Sequence, residues 1–181
     1  MKTDIVDLVK RSQSGDEEAM SEIITLHKQL IFTIAYRLLK DYDASLDVCQ
    51  ETFIKLFQNI NRVKDPLKLK SWICSIARNL CYDLLRKEKH LNKDSEITEI
   101  EQSEDFTKSV RKRAIIQNAL ERLNPRDRLL LTLFYYENFD IKEIADIVKI
   151  TPENVKVALS RARIRLREEL KDYDEELLST D

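Results

Sequence analysis

The sequence has almost no glycine or proline, with one Gly and three Pro among 181 residues. Tight β-hairpin turns depend on residues that accept positive φ, glycine above all, so this chain has few places for them. Charged residues make up 35% of the chain and hydrophobic residues 43%. That balance suits long helices with one apolar and one solvated face. The composition predicts an all-α protein.

Cysteine and histidine are also scarce, at three and two residues. If Cys74 and Cys81 share a helix, their Cα atoms lie roughly 10 Å apart, which is beyond disulfide reach. The sequence has no glycine-rich phosphate loop and no nucleophile with a paired histidine. We therefore predict no metal site, no cofactor and no enzymatic activity, and we interpret the cysteines as small buried hydrophobes.

No hydrophobic run approaches the roughly 18 residues that a membrane span requires, and no apolar stretch follows a basic N-terminus. The sequence thus predicts a cytoplasmic protein without membrane insertion. Its formal net charge of -2 is not typical of a nucleic-acid-binding protein. The overall charge is misleading, however, because basic and acidic residues are segregated along the chain.

The first half of the chain has apolar residues at helical spacing. Asp4 and Gly15 bound a first predicted helix, Asp16 caps a second that ends near Lys40, and a third begins at about Asp43. We expect the third helix to bury one face, formed by Leu46, Cys49, Phe53, Leu56, Phe57 and Ile60. After a break near Pro66 comes a regular helix rich in Lys and Arg, with Trp72 on its apolar stripe. These helices predict a bundle over residues 1–92.

Helical periodicity lapses over residues 93–107, where acidic residues accumulate, as is typical of a flexible linker. A second helical domain is predicted over 108–172, followed by an acidic tail at 173–181. Within it, Asn124 and Pro125 start a helix, and 129–136 is predicted to be a short buried helix. The predicted fold is therefore two small helical domains joined by a flexible acidic linker.

Two adjacent helix starts predict a helix-turn-helix. Asp140 and Glu143 have the spacing of a capping box, and Thr151 followed by Pro152 starts another helix a few residues later. In this second helix, basic residues outnumber acidic ones on the faces away from the apolar stripe. An exposed charged helix is the common alternative, but the excess of positive charge after a tight turn favours DNA binding.

Three stretches resemble the extracytoplasmic-function (ECF) subfamily of the sigma-70 family of bacterial RNA polymerase sigma factors. They are DASLDVCQETFIKLFQ at 43–58, SWICSIARNLCYDLLRK at 71–87, and the segment 123–170 that contains the helix-turn-helix. The resemblance implies a promoter-directing subunit with a region 2 domain and a region 4 domain. It also implies core RNA polymerase, promoter DNA and an anti-sigma factor as partners, and a monomer when free.

The resemblance further implies three groups of site residues. Core polymerase binding would use Asp47, Gln50, Glu51 and Phe53, although Phe53 is equally explained as a core residue. The minus-10 element, where a base is flipped out of the stack, would contact Lys68, Lys70, Arg78, Asn79, Tyr82 and Arg86. The minus-35 element would contact Lys156, Val157, Ser160, Arg161 and Arg167, whereas Arg165 points towards the domain interior and serves phosphates or acidic neighbours.

The sequence departs from the family pattern at two places. Lys149 stands in the turn where the family commonly has glycine, and Val157 with Ala158 replaces a polar-arginine pair, so the bases read are in doubt. A helix-turn-helix regulator that acts without core polymerase is the alternative function. The segment at 43–58 argues against that alternative, and an enzyme has almost no support.

Overall fold

The computed structural model describes residues 4–91 and 108–173, and within these ranges it contains helices and no strand, which confirms the all-α prediction. Shorter helical turns lie at Ile60–Arg62, Pro66–Lys68, Thr132–Tyr136 and Lys171–Tyr173. The predicted linker at 93–107 lies outside the described residues, as does the tail beyond Tyr173. The helices are α1 (Ile5–Gln13), α2 (Glu17–Leu39), α3 (Tyr42–Asn59), α4 (Leu69–Leu91), α5 (Lys108–Arg122), α6 (Pro125–Leu131), α7 (Ile141–Val148) and α8 (Pro152–Leu170).

The helix ends follow the capping signals in the sequence. The Asp4 carboxylate accepts the Val6 backbone N–H, and Asp16 accepts those of Glu18 and Ala19. Gly15, between α1 and α2, has a φ of 92°, a conformation that residues with a Cβ rarely adopt. Local sequence therefore determines where the helices begin and where the chain turns.

The N-terminal unit, α1–α4, is built around α2, which packs on α1, α3 and α4. Helix α4 buries Leu69, Ile73 and Ala77 together with Cys74 and Cys81. Burial raises the pKa of both thiols to about 12, so they remain protonated at neutral pH. The two thiols thus behave as the small buried hydrophobes that the sequence predicted.

Helix α3 buries only part of the predicted face, which includes Leu56 and, just beyond the helix, Ile60. Its buried residues are Ser45, Val48, Thr52 and Leu56. Leu46 and Phe57 were expected in the core, yet both are exposed, with Phe57 at 64%. For Leu46 and Phe57 the prediction was wrong, because α3 has more apolar residues than α2 and α4 can cover. Periodicity alone does not say which of them a neighbouring helix will bury.

The C-terminal unit, α5–α8, has its core around α6, whose residues Leu129, Leu130 and Leu131 are buried, as is Leu133 beyond it. The predicted buried helix at 129–136 is correct only in its first part. A π-helical turn follows α6, and Tyr135 and Tyr136 at its end are about half exposed. The end of the predicted helix is therefore exposed and not buried.

The two units pack against each other. Helix α7 lies on α4, and α6 lies on α2, so that one continuous set of buried residues runs through both units. This arrangement places the helix-turn-helix beside the basic helix of the N-terminal unit.

Candidate nucleic-acid and protein-docking surfaces

The helix-turn-helix has the predicted caps. The Asp140 side chain accepts the Glu143 N–H at 2.8 Å, and the Glu143 carboxylate accepts the Asp140 N–H at 2.8 Å. Lys149 ends α7 in the left-handed conformation at φ 59°, which explains why glycine suits this position. The Thr151 hydroxyl then accepts the Asn154 N–H, and Pro152 begins α8. The sequence therefore fixes the start of α8, and with it the orientation of the first turns.

Helix α8 buries Val155, Leu159 and Ala162 against the rest of the unit. The predicted minus-35 residues Lys156, Val157, Ser160, Arg161 and Arg167 are all exposed. Four of these side chains, at positions 156, 157, 160 and 161, share one solvent-facing surface, which we call the α8 surface. Its two long cations have the donors that guanine O6 and N7 accept, and a half-exposed Val157 lies beside them.

Two other arginines of α8 are engaged within the unit. Arg165 forms an ion pair with Asp127, whose side chain is only 5% exposed. The sequence predicted that Arg165 serves phosphates or acidic neighbours, and in the structure its partner is an acidic neighbour. Arg163 donates from Nε to the Tyr135 hydroxyl at 2.7 Å and lies over the Phe134 and Tyr135 rings. These contacts leave Arg161 and Arg167 as the freer arginines of α8.

On α4, Asn79 and Arg86 are exposed, and Tyr82 is half-buried against the core. Arg78 donates to the Asn79 side-chain oxygen at 3.0 Å and lies 5.3 Å from the Tyr82 ring centroid. Arg86 pairs with Asp83 on its own helix. Burial raises the pKa of Tyr82, which keeps its hydroxyl protonated as a hydrogen-bond donor. The structure brings these four predicted minus-10 residues together along α4.

The remaining minus-10 candidates reach the other unit. Lys68 Nζ lies 3.5 Å from the Asp146 carboxylate, and Lys70 Nζ lies 3.9 Å from the Phe139 ring centroid. A cavity of about 520 Å³ opens between the units beside these contacts. It is lined by Asn59, Arg62, Val63, Lys64, Asp65, Lys68, Ser71, Trp72, Ser75, Asp146 and Lys149. The basic residues around the start of α4 are therefore engaged by α7 and by the segment just before it.

The predicted core-binding residues lie on α3 but not on one face. Asp47 and Gln50 are exposed, Glu51 pairs with Lys55 at 2.9 Å, and Phe53 packs against the core. Three exposed apolar residues accompany Gln50 at helical spacing, two of which were predicted to be buried. We call Leu46, Ile54 and Phe57 the α3 stripe; their exposed fractions are 39%, 49% and 64%.

The exposure of these three residues identifies the stripe as a candidate docking surface, and the sequence pattern alone does not show that exposure. Helices of soluble proteins rarely leave three large apolar side chains in line without a partner.

No group of three or more potential metal ligands occurs among residues 4–91 and 108–173. Across the same residues, no helix is long and apolar enough to cross a membrane.

Comparison with known proteins gives a match for each of the two helical units. The Sigma-70 region 2 profile matches residues 23–91, and the Sigma-70 region 4 profile matches residues 113–166. The chain is 31% identical to RNA polymerase sigma factor SigV of Bacillus subtilis (strain 168), over 83% of this chain and 90% of SigV. The chain belongs to the sigma-70 family. Within it, similarity to ECF RNA polymerase sigma factor SigW of the same strain, at 29% identity over 91% of this chain and 95% of SigW, supports the ECF subfamily.

Two solved structures show the same fold as this sigma factor. CnrH, in complex with the cytosolic domain of CnrY, has a TM-score of 0.69 at 20% identity, over 91% of this chain and 96% of CnrH. The sigma factor RpoE of Bartonella quintana, in complex with the anti-sigma factor NepR, also has a TM-score of 0.69, at 24% identity over 83% of this chain and 96% of RpoE.

Proposed function

We propose that this ECF sigma factor binds core RNA polymerase through α3 and directs initiation by reading two promoter elements with α4 and α8. The observation that carries the proposal is the α8 surface, where cations at 156 and 161 are exposed directly after a capped turn. Helix-turn-helix proteins present such first turns to the major groove.

The proposed division of labour follows the two helical units. Residues 1–92 would bind core polymerase and melt the minus-10 element, 108–172 would read the minus-35 element, and 93–107 would connect them, with 173–181 as a tail. For melting, Arg78, Asn79, Tyr82 and Arg86 lie along α4, where cations, an amide and an aromatic ring combine phosphate contacts with base stacking and hydrogen bonding.

For core binding, we propose that the α3 stripe supplies the apolar centre and that Asp47 and Gln50 supply the polar rim. Apolar anchors surrounded by polar groups are the common anatomy of a protein interface. We also include Glu51 among the residues proposed to bind core polymerase. Phe53 would contribute by anchoring α3, since it packs against the core.

An anti-sigma factor is the further partner that we propose. Two proteins of the same fold are seen in complexes: CnrH with the cytosolic domain of CnrY, and the sigma factor RpoE with the anti-sigma factor NepR. We also propose that the free chain is a monomer located in the cytoplasm, and that it has no enzymatic activity. The test of the whole function is run-off transcription with sigma-free core polymerase on genomic DNA, with the start sites mapped. Start sites that share no upstream motif would contradict it.

The base-reading role is tested by Arg161→Ala. We expect holoenzyme with this variant to lose about 1 to 3 kcal/mol of binding free energy at the cognate minus-35 sequence and to discriminate less at one base pair. Arg167→Ala, the matched control on the same helix, should weaken binding to all sequences alike and reduce the salt dependence, as a phosphate contact does. The measurement is affinity for wild-type and single-base-changed DNA at two salt concentrations. Equal loss on every sequence would move Arg161 to the phosphate contacts.

A further inference from the structure

We propose that Gln13 is a positioning residue for promoter recognition: its side-chain amide holds the segment that leads into α4 in one conformation before DNA is bound. This segment covers residues 60–68, and we call it the 60–68 segment. It carries Lys68, one of the candidate minus-10 residues. The consequence for transcription rests on the proposed function, whereas the anchoring itself is a property of the polypeptide and can be measured without polymerase or DNA.

The 60–68 segment has little regular structure of its own. It contains two turns of three residues, Ile60–Arg62 and Pro66–Lys68, and a backbone hydrogen bond of 3.1 Å closes each of them. Such short turns have too few hydrogen bonds to persist in isolation. The ends of the segment are fixed, because Ile60 is buried and Leu69 is buried at the start of α4. The residues between the two turns therefore need support from another element.

Gln13, the last residue of α1, supplies that support. Its Nε2 atom donates to the Ile60 carbonyl at 3.0 Å and to the Val63 carbonyl at 2.9 Å, so both hydrogens of the amide group are used. Helix α1 is itself held in place, because Leu8 and Val9 are buried and the helix packs on α2 and on both short turns. The Gln13 amide thus ties the middle of the 60–68 segment to a packed helix.

The anchored segment presents positive charge next to α4. Arg62, Lys64 and Lys68 are exposed, and all three line a cavity together with Trp72. Of these three cations, only Lys68 forms an ion pair within the described part of the chain. Cations attract phosphates whatever the base sequence, but phosphate contacts fix the register of a protein on DNA only when the cations themselves are held in place.

Loss of the anchor should therefore reduce sequence discrimination more than it reduces affinity. A loose segment keeps its charge and still attracts phosphates. It no longer holds the DNA strand in one register, and it has to be ordered on binding, which a preorganised segment avoids. A role of Gln13 in fold stability alone predicts a different result. It would lower the fraction of active molecules and leave the ratio of activities on two promoter sequences unchanged.

The anchoring is tested on the free chain by limited proteolysis. Trypsin cleaves after Arg62 and Lys64 when the 60–68 segment opens locally. Gln13→Met keeps the size of the side chain and removes the donor, whereas Gln13→Glu keeps the shape and places a carboxylate against two carbonyl oxygens. We expect each variant to raise the rate of cleavage at these two sites about fivefold or more, because two hydrogen bonds are lost. Mass spectrometry assigns the cleaved bonds.

The matched controls are Gln29→Met and Gln29→Glu, which make the same substitutions at an exposed position of α2. Both should be cleaved like the wild type, with helix content checked by circular dichroism in every chain. Equal cleavage in the wild type and both Gln13 variants would overturn the anchoring. A rise with Gln13→Met but not with Gln13→Glu would do the same, because side-chain shape and not hydrogen-bond donation would then hold the segment. An equal rise at all trypsin sites would show global destabilisation and contradict a local anchor.

Positioning is tested in transcription with core polymerase, on a promoter mapped with the wild-type chain. The readout is the ratio of initiation rates on that promoter and on derivatives with one base pair changed in either element, since this ratio does not depend on the fraction of active chains. For Gln13→Met we expect the ratio at the most selective minus-10 base pair to fall about threefold or more. The ratio at the minus-35 element should stay unchanged, and Gln29→Met should keep both ratios.

Two outcomes of the transcription test would overturn the positioning role. One is an unchanged minus-10 ratio in a Gln13→Met chain that is cleaved faster, and the other is an equal fall of the ratios at both elements. If the wild-type chain directed no promoter-specific initiation, the proposed function would fail instead, and the proteolysis would still decide whether Gln13 anchors the 60–68 segment.

Discussion

Phe57→Ala is expected to weaken binding to core polymerase by about 30-fold, with little effect on the stability of the free chain. Phe57 is 64% exposed, so its truncation leaves no internal cavity. A central aromatic anchor of a protein interface commonly contributes about 2 kcal/mol or more, which corresponds to that change in affinity. The measurement is equilibrium binding of a fluorescently labelled chain to sigma-free core polymerase.

Two further variants decide between the α3 stripe and the residues chosen from sequence. Leu26→Ala removes a similarly exposed apolar side chain from α2 and should leave core binding unchanged. Phe53→Ala should mainly lower the unfolding temperature, because Phe53 packs against the core. If Phe53→Ala abolished core binding at unchanged stability while Phe57→Ala had no effect, the assignment of the α3 stripe would be wrong.

Arg128→Met is expected to destabilise the chain by about 2 to 4 kcal/mol. The methionine fills much of the same volume but leaves the Arg37 and Leu123 carbonyls without the guanidinium that now donates to each at 2.8 Å. The Glu121 carbonyl also loses a bond of 3.2 Å but keeps the one from Lys40 Nζ. Buried acceptors that lose a charged donor cost about 1 to 3 kcal/mol each before relaxation. Burial lowers the pKa of Arg128, yet an arginine keeps its charge at any ordinary pH.

Urea unfolding followed by circular dichroism measures this loss. Arg126→Met is the control, since it makes the same substitution at an exposed position of the same helix and should change stability by less than about 0.5 kcal/mol. Equal midpoints for the two variants would mean that the Arg128 hydrogen bonds contribute no net stability. The Arg128 variant should also unfold less cooperatively, because the same guanidinium joins the two units.

The sequence by itself determined the helix boundaries and the orientation of α8. Asp140 with Glu143 and Thr151 with Pro152 are local signals, and the structure reproduces each of them. The exposed face of α8 was equally predictable, because its apolar stripe is narrow and only one face can be buried. The same helix geometry predicted phosphates or acidic neighbours as the partners of Arg165, and the structure shows which of the two it contacts.

Only the tertiary structure decided which apolar stripe of α3 is buried and where the basic residues of α4 point. Leu46 and Phe57 belong to an apolar pattern of α3 that α2 and α4 cover only in part. The sequence of α3 does not specify how far the neighbouring helices extend over it. Ser75 and Asp146 meet although 71 positions separate them along the chain. Capping depends on residues within one turn, whereas packing between units depends on the shapes and charges of two surfaces that form only after each unit has folded.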